Sequence, residues 1–166
     1  AIRFANKFKI KNKVIVGADD ALKITELLKK NNVSLILKRT HRLPVTQDKP
    51  IDDPFLQAKK LNDEGILFCL SYSGDMQAMG SRNLPFTAGT TVAYGQNYED
   101  AVKSITLNTA KILKIDDVVG SIEKNKEATF FVSDGDALDM KTNNVIIAFI
   151  KGKEISLMNH QKELYN

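Results

Sequence analysis

The chain has 166 residues, 43% of them hydrophobic and 27% charged, enough for one soluble domain, or one domain with a small attachment, to bury its own core, and a balance that excludes a disordered chain. No apolar run approaches the ~20 residues of a membrane-spanning helix, and the start "AIRFANKF" is not a signal peptide, so the cytoplasm is the expected compartment. With 24 basic and 20 acidic residues the net charge is +4, and no aromatic and arginine cluster accompanies the Lys7, Lys9, Lys11, Lys13 alternation, which reads as the solvated face of a strand and not as a nucleic-acid surface.

The first residues have the pattern of an amphipathic helical turn without an initiator Met, which reads as a fragment of a longer protein. "KVIVGADDALKITELLKKNNVSLILKR" then predicts strand, helix, strand. Lys13 to Val16 is β-branched and apolar, Gly17 closes the strand, and Asp19 or Asp20 is placed to cap a helix striped by Leu22, Ile24, Leu27 and Leu28. Both flanking strands are continuously apolar, as in a parallel sheet covered on both faces. "LPVTQDKPIDDP" holds three of the four prolines and predicts a long irregular connection. Asp53 as N-cap and Pro54 at the first helical position start the next helix, which Gly65 ends.

A third buried strand is predicted at "ILFCLS". Its Cys69, the only cysteine, excludes an intramolecular disulfide and a cysteine-based zinc site, and it reads as a buried structural thiol. "NLPFTAGTTVAYG" and "YEDAVKSITLNTAKIL" predict two helices separated by Gly95. From Gly120 the texture turns to short β segments: "EATFFVS", the turn "SDGD", and "NVIIAFIKGKEISL" with a hairpin at Lys151-Gly152. The fold class is therefore α/β, three βα units followed by a β-rich tail. Parallel strands in so short a sheet leave edges that another surface should cover, so self-association is expected.

The run from "RNLPFTAGTTVAYG" through "ITLNTAKILKI" and "VGSIEKNKEATFFV" to "AFIKGKEI" resembles the C-terminal end of amidohydrolase-superfamily proteins, particularly the imidazolonepropionase-like group. The resemblance covers nearly the whole chain. It implies that residues 1–119 are the C-terminal part of a (β/α)8 barrel, its last three βα units, and that residues 120–166 belong to a small β-sandwich with a C-terminal tail. The partner it implies is the remainder of the parent polypeptide. The implied reaction is hydrolysis of a non-peptide C–N bond of the cyclic-amide type in a small-molecule substrate. The parent would use zinc or another divalent metal to activate water, with a carboxylate handling the proton. Departures from the family pattern are Thr109 where Pro is usual, Asn125 where Gly is usual and Thr129 where Asp is usual.

On this resemblance the sixth-strand ligand position falls on Gly17, and the eighth-strand Asp position, counted from Gly65, falls on Ser73 in "CLSYSGD". No metal ligand is assigned in this chain. Asp75, two residues on, is read as an ordinary turn residue with a catalytic role as the alternative. His41 follows the middle strand at the expected mouth of the barrel, and it is read equally as a substrate-contacting residue or a plain loop histidine, ahead of a metal ligand. Arg39 and Arg42 either bind an anionic substrate group or are solvated, and Arg82 is a further candidate to face the pocket. Asp19-Asp20, Asp52-Asp53 and Asp116-Asp117 read as caps, "DGDALD" as a turn that lacks the glutamate a calcium loop requires, and His160 as exposed.

Three functional readings follow. The first is the hydrolase fragment, inactive as an isolated chain because most of the implied site is missing. The second is a non-catalytic binding or assembly protein on the same scaffold, motivated by Gly17 and Ser73. The third, a nucleotide-binding domain from "VIVGADDA", lacks the G-x-G-x-x-G pattern.

Overall fold

A computed structural model describes residues 1–73 and 76–165. After helix α1 (Ile2–Lys7), strands β1 (Lys13–Gly17), β2 (Val33–Leu37) and β3 (Phe68–Leu70) form a parallel sheet in sequence order. Gly17 pairs with Leu37 and Leu37 with Leu70, so all three strands end level and their following loops emerge along one edge. Pairing continues past the short β3, with Leu35 N–H donating to the Leu67 carbonyl and Ser71 N–H to the Leu37 carbonyl, each at 3.0 Å. That extent matches the apolar run read as the third strand.

The expectation that the sheet is covered on both faces fails at β1. Leu35, Leu37, Phe68 and Leu70 are buried, but Val14 is 40% and Val16 66% exposed, because β1 is an edge strand with one face bare. The lysine alternation is also not a strand: Lys7 ends α1, Lys9 takes a left-handed φ of 54°, and only Lys13 enters β1.

The connection from β1 to β2 is a 3-10 turn (Ala21–Ile24) running into α2 (Thr25–Lys30), and neither Asp19 nor Asp20 caps it. Both carboxylates are taken by cations: Asp19 by Arg42 and Lys38, Asp20 by Lys23 and Lys49. Helix α3 (Asp53–Asp63) begins one residue earlier than expected, with Asp52 at the N-cap position and Pro54 in the first turn. It ends at Gly65, whose φ of 67° suits a residue without a Cβ.

After β3 come the short α4 (Gln77–Gly80), a 3-10 turn (Ser81–Asn83) and α5 (Leu84–Ala93). The second predicted helix is two: α6 (Tyr98–Ile105) and α7 (Leu107–Leu113) break at Thr106, whose φ of −127° and ψ of −93° interrupt the helical path. The tail forms a separate antiparallel sheet of β4 (Phe130–Ser133), β5 (Val145–Ile150) and β6 (Lys153–Glu154), with the hairpin turning at Lys151-Gly152 as expected. Asn125 stands at φ 73°, a conformation that Gly adopts more readily, and Thr129 Oγ1 accepts the Lys151 N–H at 3.0 Å. Helix α8 (His160–Tyr165) has no buried residue.

One hydrophobic core joins the parallel strands to Leu28, Leu61, Ala88 and Ala101 of the helices, and it also takes Leu138 from the turn between β4 and β5. That turn approaches α5 closely. A Cβ on Gly89 would come within 2.2 Å of the Leu138 carbonyl oxygen. Cys69 is 3% exposed, and burial pushes its thiol pKa up, with a smaller opposing effect from the Thr109 hydroxyl. Among the described residues no helix is long and apolar enough to cross a membrane.

Candidate functional site

The loops leaving the level ends of the parallel strands line one side of an open pocket of about 480 Å³. His41, from the loop after β2, and Tyr72, from the loop after β3, form that side. Asn83 from the 3-10 turn before α5, Phe86 and Thr90 from α5, and Tyr98, Asp136, Asp139 and Met140 complete the lining.

His41 is placed by two contacts. Its Nε2 lies 2.9 Å from Thr90 Oγ1, and its ring sits 5.8 Å from the ring of Phe55 on α3. The Thr90 hydroxyl in turn donates back to the Phe86 carbonyl at 2.9 Å, which fixes the oxygen that His41 meets. The loop carrying His41 is held by Arg42, whose Nη2 lies 2.6 Å from Asp19 Oδ1, so an ion pair between two half-buried groups ties the loop after β2 to the loop after β1. Gln57 on α3 donates to the Ala18 carbonyl at 2.9 Å and fastens the same corner.

Tyr72 is wedged between Arg39 and Gly80. The Arg39 guanidinium is 5.9 Å from the centre of its ring, within cation–π reach. A Cβ on Gly80 would overlap that ring at 1.8 Å. Arg39 is thus beside the pocket but outside its lining, and Arg82 lies exposed on the 3-10 turn before α5, also outside the lining. Ser73 is half-buried at the end of the β3 loop. Asp75 lies outside the described residues. His160 is exposed at the start of α8.

Residues that sequence reasoning missed are Tyr72, Thr90, Tyr98, Asp136 and Asp139. "DGDALD" is a turn, as expected, with Gly135 at φ 112°, but it is a turn that faces the pocket. Tyr98 Oη donates to Asp136 Oδ1 at 2.6 Å, and this bond, more than burial, pushes the phenol pKa up to about 12. The Leu138 N–H donates to the same oxygen at 2.8 Å. Asp139 accepts from the Lys141 N–H and the Thr142 hydroxyl, which hold its pKa below the usual carboxylate value.

The model of the amidohydrolase family matches residues 9–155. This chain belongs to the amidohydrolase family. Among solved structures, an amidohydrolase from Thermotoga maritima MSB8 is 30% identical, with a TM-score of 0.75 over 93% of this chain and 39% of that one. A Xaa-Pro dipeptidase crystallised with methionine in its active site (18% identity, TM-score 0.63, 89% and 40% coverage) shares the fold. So does a zinc-bound adenosine deaminase from Xanthomonas campestris (16% identity, TM-score 0.59, 98% and 43% coverage). The amidohydrolase chain thus spans about two-fifths of the length of these relatives. No curated protein is significantly similar to it in sequence.

The divalent metal that the family resemblance implies does not fit the donors among the described residues. Among the described residues no three His, Cys, Asp or Glu side chains gather to hold an ion. At the strand ends, where such donors would be needed, stand Gly17 and Ser73, and the nearby Asp19 is already neutralised by Arg42 and Lys38. Zinc and similar divalent ions need several free nitrogen, oxygen or sulfur donors, and a carboxylate committed to two cations is a poor one.

Proposed function

We propose that this chain is the C-terminal part of a cytoplasmic amidohydrolase-type enzyme that hydrolyses non-peptide C–N bonds of cyclic amides. In this reading residues 1–119 complete a (β/α)8 barrel as its last three βα units, and residues 120–166 contribute to a small β-sandwich. The observation that carries it is the 30% identity to the Thermotoga amidohydrolase over 93% of the chain. Two open surfaces support the architecture. The bare face of β1 exposes Val14 and Val16, and Phe131, Ile146 and Ile150 lie exposed on the tail sheet. Both have the apolar character of surfaces that pack against the remainder of a polypeptide.

The small-molecule substrate lies in the pocket beside His41, with Arg39 and Arg82 as further contacts at its rim. Ser73 occupies the position of the usual proton-handling carboxylate, and Asp75 in the adjoining turn is the alternative. Because most of the implied site lies outside this chain, the isolated chain is inactive, and its open sheet edges lead it to self-associate. Ring-opening of hydantoins, imidazolones and lactams by the purified full-length protein tests the reading. Turnover by the full-length protein and none by residues 1–166 is the expected outcome, and a full-length protein inert towards all three classes overturns it.

A second reading, a non-catalytic binding or assembly protein on the same scaffold, is favoured by Gly17 and Ser73 at two ligand positions. Metal analysis separates the two: stoichiometric zinc, manganese or iron in the full-length protein rules out the non-catalytic version.

A further inference from the structure

We infer that the pocket takes a ligand with an apolar or aromatic body and a cationic end, an amine or guanidinium, and that the turn between β4 and β5 recognises that end. The inference rests on the pocket being the substrate site proposed above, and it deepens that reading by naming the substrate class.

The first observation is the charge of the walls. The described lining includes no lysine or arginine, whereas Asp136 and Asp139 both face the pocket. The Arg39 guanidinium lies beside the Tyr72 ring and outside the lining. Inside that lining an anionic substituent would meet two carboxylates and no cation.

The second observation concerns which carboxylate is free. Both Asp139 oxygens accept bonds within the turn, one from the Lys141 N–H and one from the Thr142 hydroxyl. At Asp136 the Tyr98 hydroxyl and the Leu138 N–H share Oδ1. Among the described residues Asp136 Oδ2 accepts no protein hydrogen bond, so it is the acceptor left for a ligand. The rings of Phe86 and Tyr98 also line the pocket. Aromatic faces carry partial negative charge and attract an organic cation that a carboxylate holds by its charge.

The third observation is that the carboxylate is already held in place. Leu138 is buried in the core, and its carbonyl lies against Gly89, where no side chain fits. The turn cannot drift from α5 without exposing Leu138, so little ordering remains to be done when a ligand binds. Recognition of the ligand's end would then be a property of the β-rich tail and not of the barrel loops.

Calorimetry on the full-length protein tests this with phenethylamine, its neutral counterpart 2-phenylethanol and 3-phenylpropionate. The amine is expected to bind about tenfold more tightly than the alcohol, the size of one partly screened charge pair, and the carboxylate more weakly than both. Asp136→Asn keeps an acceptor oxygen for Tyr98 and Leu138 and is expected to abolish the amine preference while leaving the circular dichroism spectrum unchanged. Should that variant misfold, the wild-type preference for the amine is expected to shrink with added salt, as a charge interaction must. Equal or tighter binding of the carboxylate, binding of none of the probes, or an amine preference insensitive to both Asp136→Asn and salt would overturn the inference. Ring-opening activity with a preference for anionic cyclic amides would sink it while leaving the hydrolase reading intact. Amine binding by a protein that hydrolyses no amide would do the reverse.

Discussion

Tyr98 and Gly89 show how single residues hold the pocket wall. The Tyr98 phenol has its pKa raised from 10.0 to about 12, chiefly by its bond to Asp136. A raised pKa in the folded state means that the unfolded chain releases this proton first. The bond's contribution is therefore fully present below pH 10 and is lost as pH rises from there through about 12. Since Tyr98 is 39% exposed, solvent screening limits that contribution to roughly 1 kcal/mol. Tyr98→Phe is expected to lower stability in urea by that amount at neutral pH and to flatten the alkaline loss. Gly89→Ala separates two opposing effects. Alanine in an exposed helix gains about 1 kcal/mol over glycine, but here the new Cβ would meet the Leu138 carbonyl. The variant is expected to lose roughly 2 kcal/mol and to expose the turn to protease. Sequence reasoning reached His41 because it follows a strand in a barrel-like pattern. It missed Tyr98 and Asp136 because they lie 38 residues apart, and no local pattern announces a bond across that distance.

At the scale of elements, the alternating strand and helix signals were legible because Gly17, Gly65 and the proline run punctuate them strongly. The boundaries were less so. Helices α6 and α7 carry one apolar stripe, yet the chain breaks at Thr106, where local propensity gives no stop signal. The acidic pair after β1 fits a capping pattern equally well, but Lys38, Lys49 and Arg42, distant in sequence, supply stronger partners. One cap is real: Asn97 Oδ1 accepts from the N–H groups of Glu99 at 2.9 Å and Asp100 at 3.4 Å. Asn97→Ala is expected to cost about 1 kcal/mol in chemical denaturation. The tail hairpin turns through positive φ at both Lys151 (52°) and Gly152 (77°), a conformation that favours Asn-Gly. Lys151→Asn is expected to raise the thermal midpoint slightly, through relief of backbone strain.

For the whole molecule, the sequence pattern conveyed a parallel three-stranded sheet and a β-rich tail because each strand is apolar and bounded by turn residues. It could not convey that β1 lies bare, since an apolar strand reads the same whether a neighbour covers it or not. The exposed Val14, Val16, Phe131, Ile146 and Ile150 give the isolated chain apolar surfaces that favour association. Sedimentation of residues 1–166 is expected to show oligomers, and Val16→Lys to shift them towards monomer. The site was legible only as a location, the loops at the strand ends; its walls come from α5 and the tail, which no spacing rule connects to β2. The most direct test of the proposed hydrolase is therefore steady-state ring-opening by the full-length protein, compared with His41→Gln. The account predicts turnover of a cyclic amide by the wild type and, in the variant, a KM raised about tenfold with kcat little changed, the mark of a lost substrate contact. An unaltered KM in His41→Gln, or no turnover by the wild type, would contradict it.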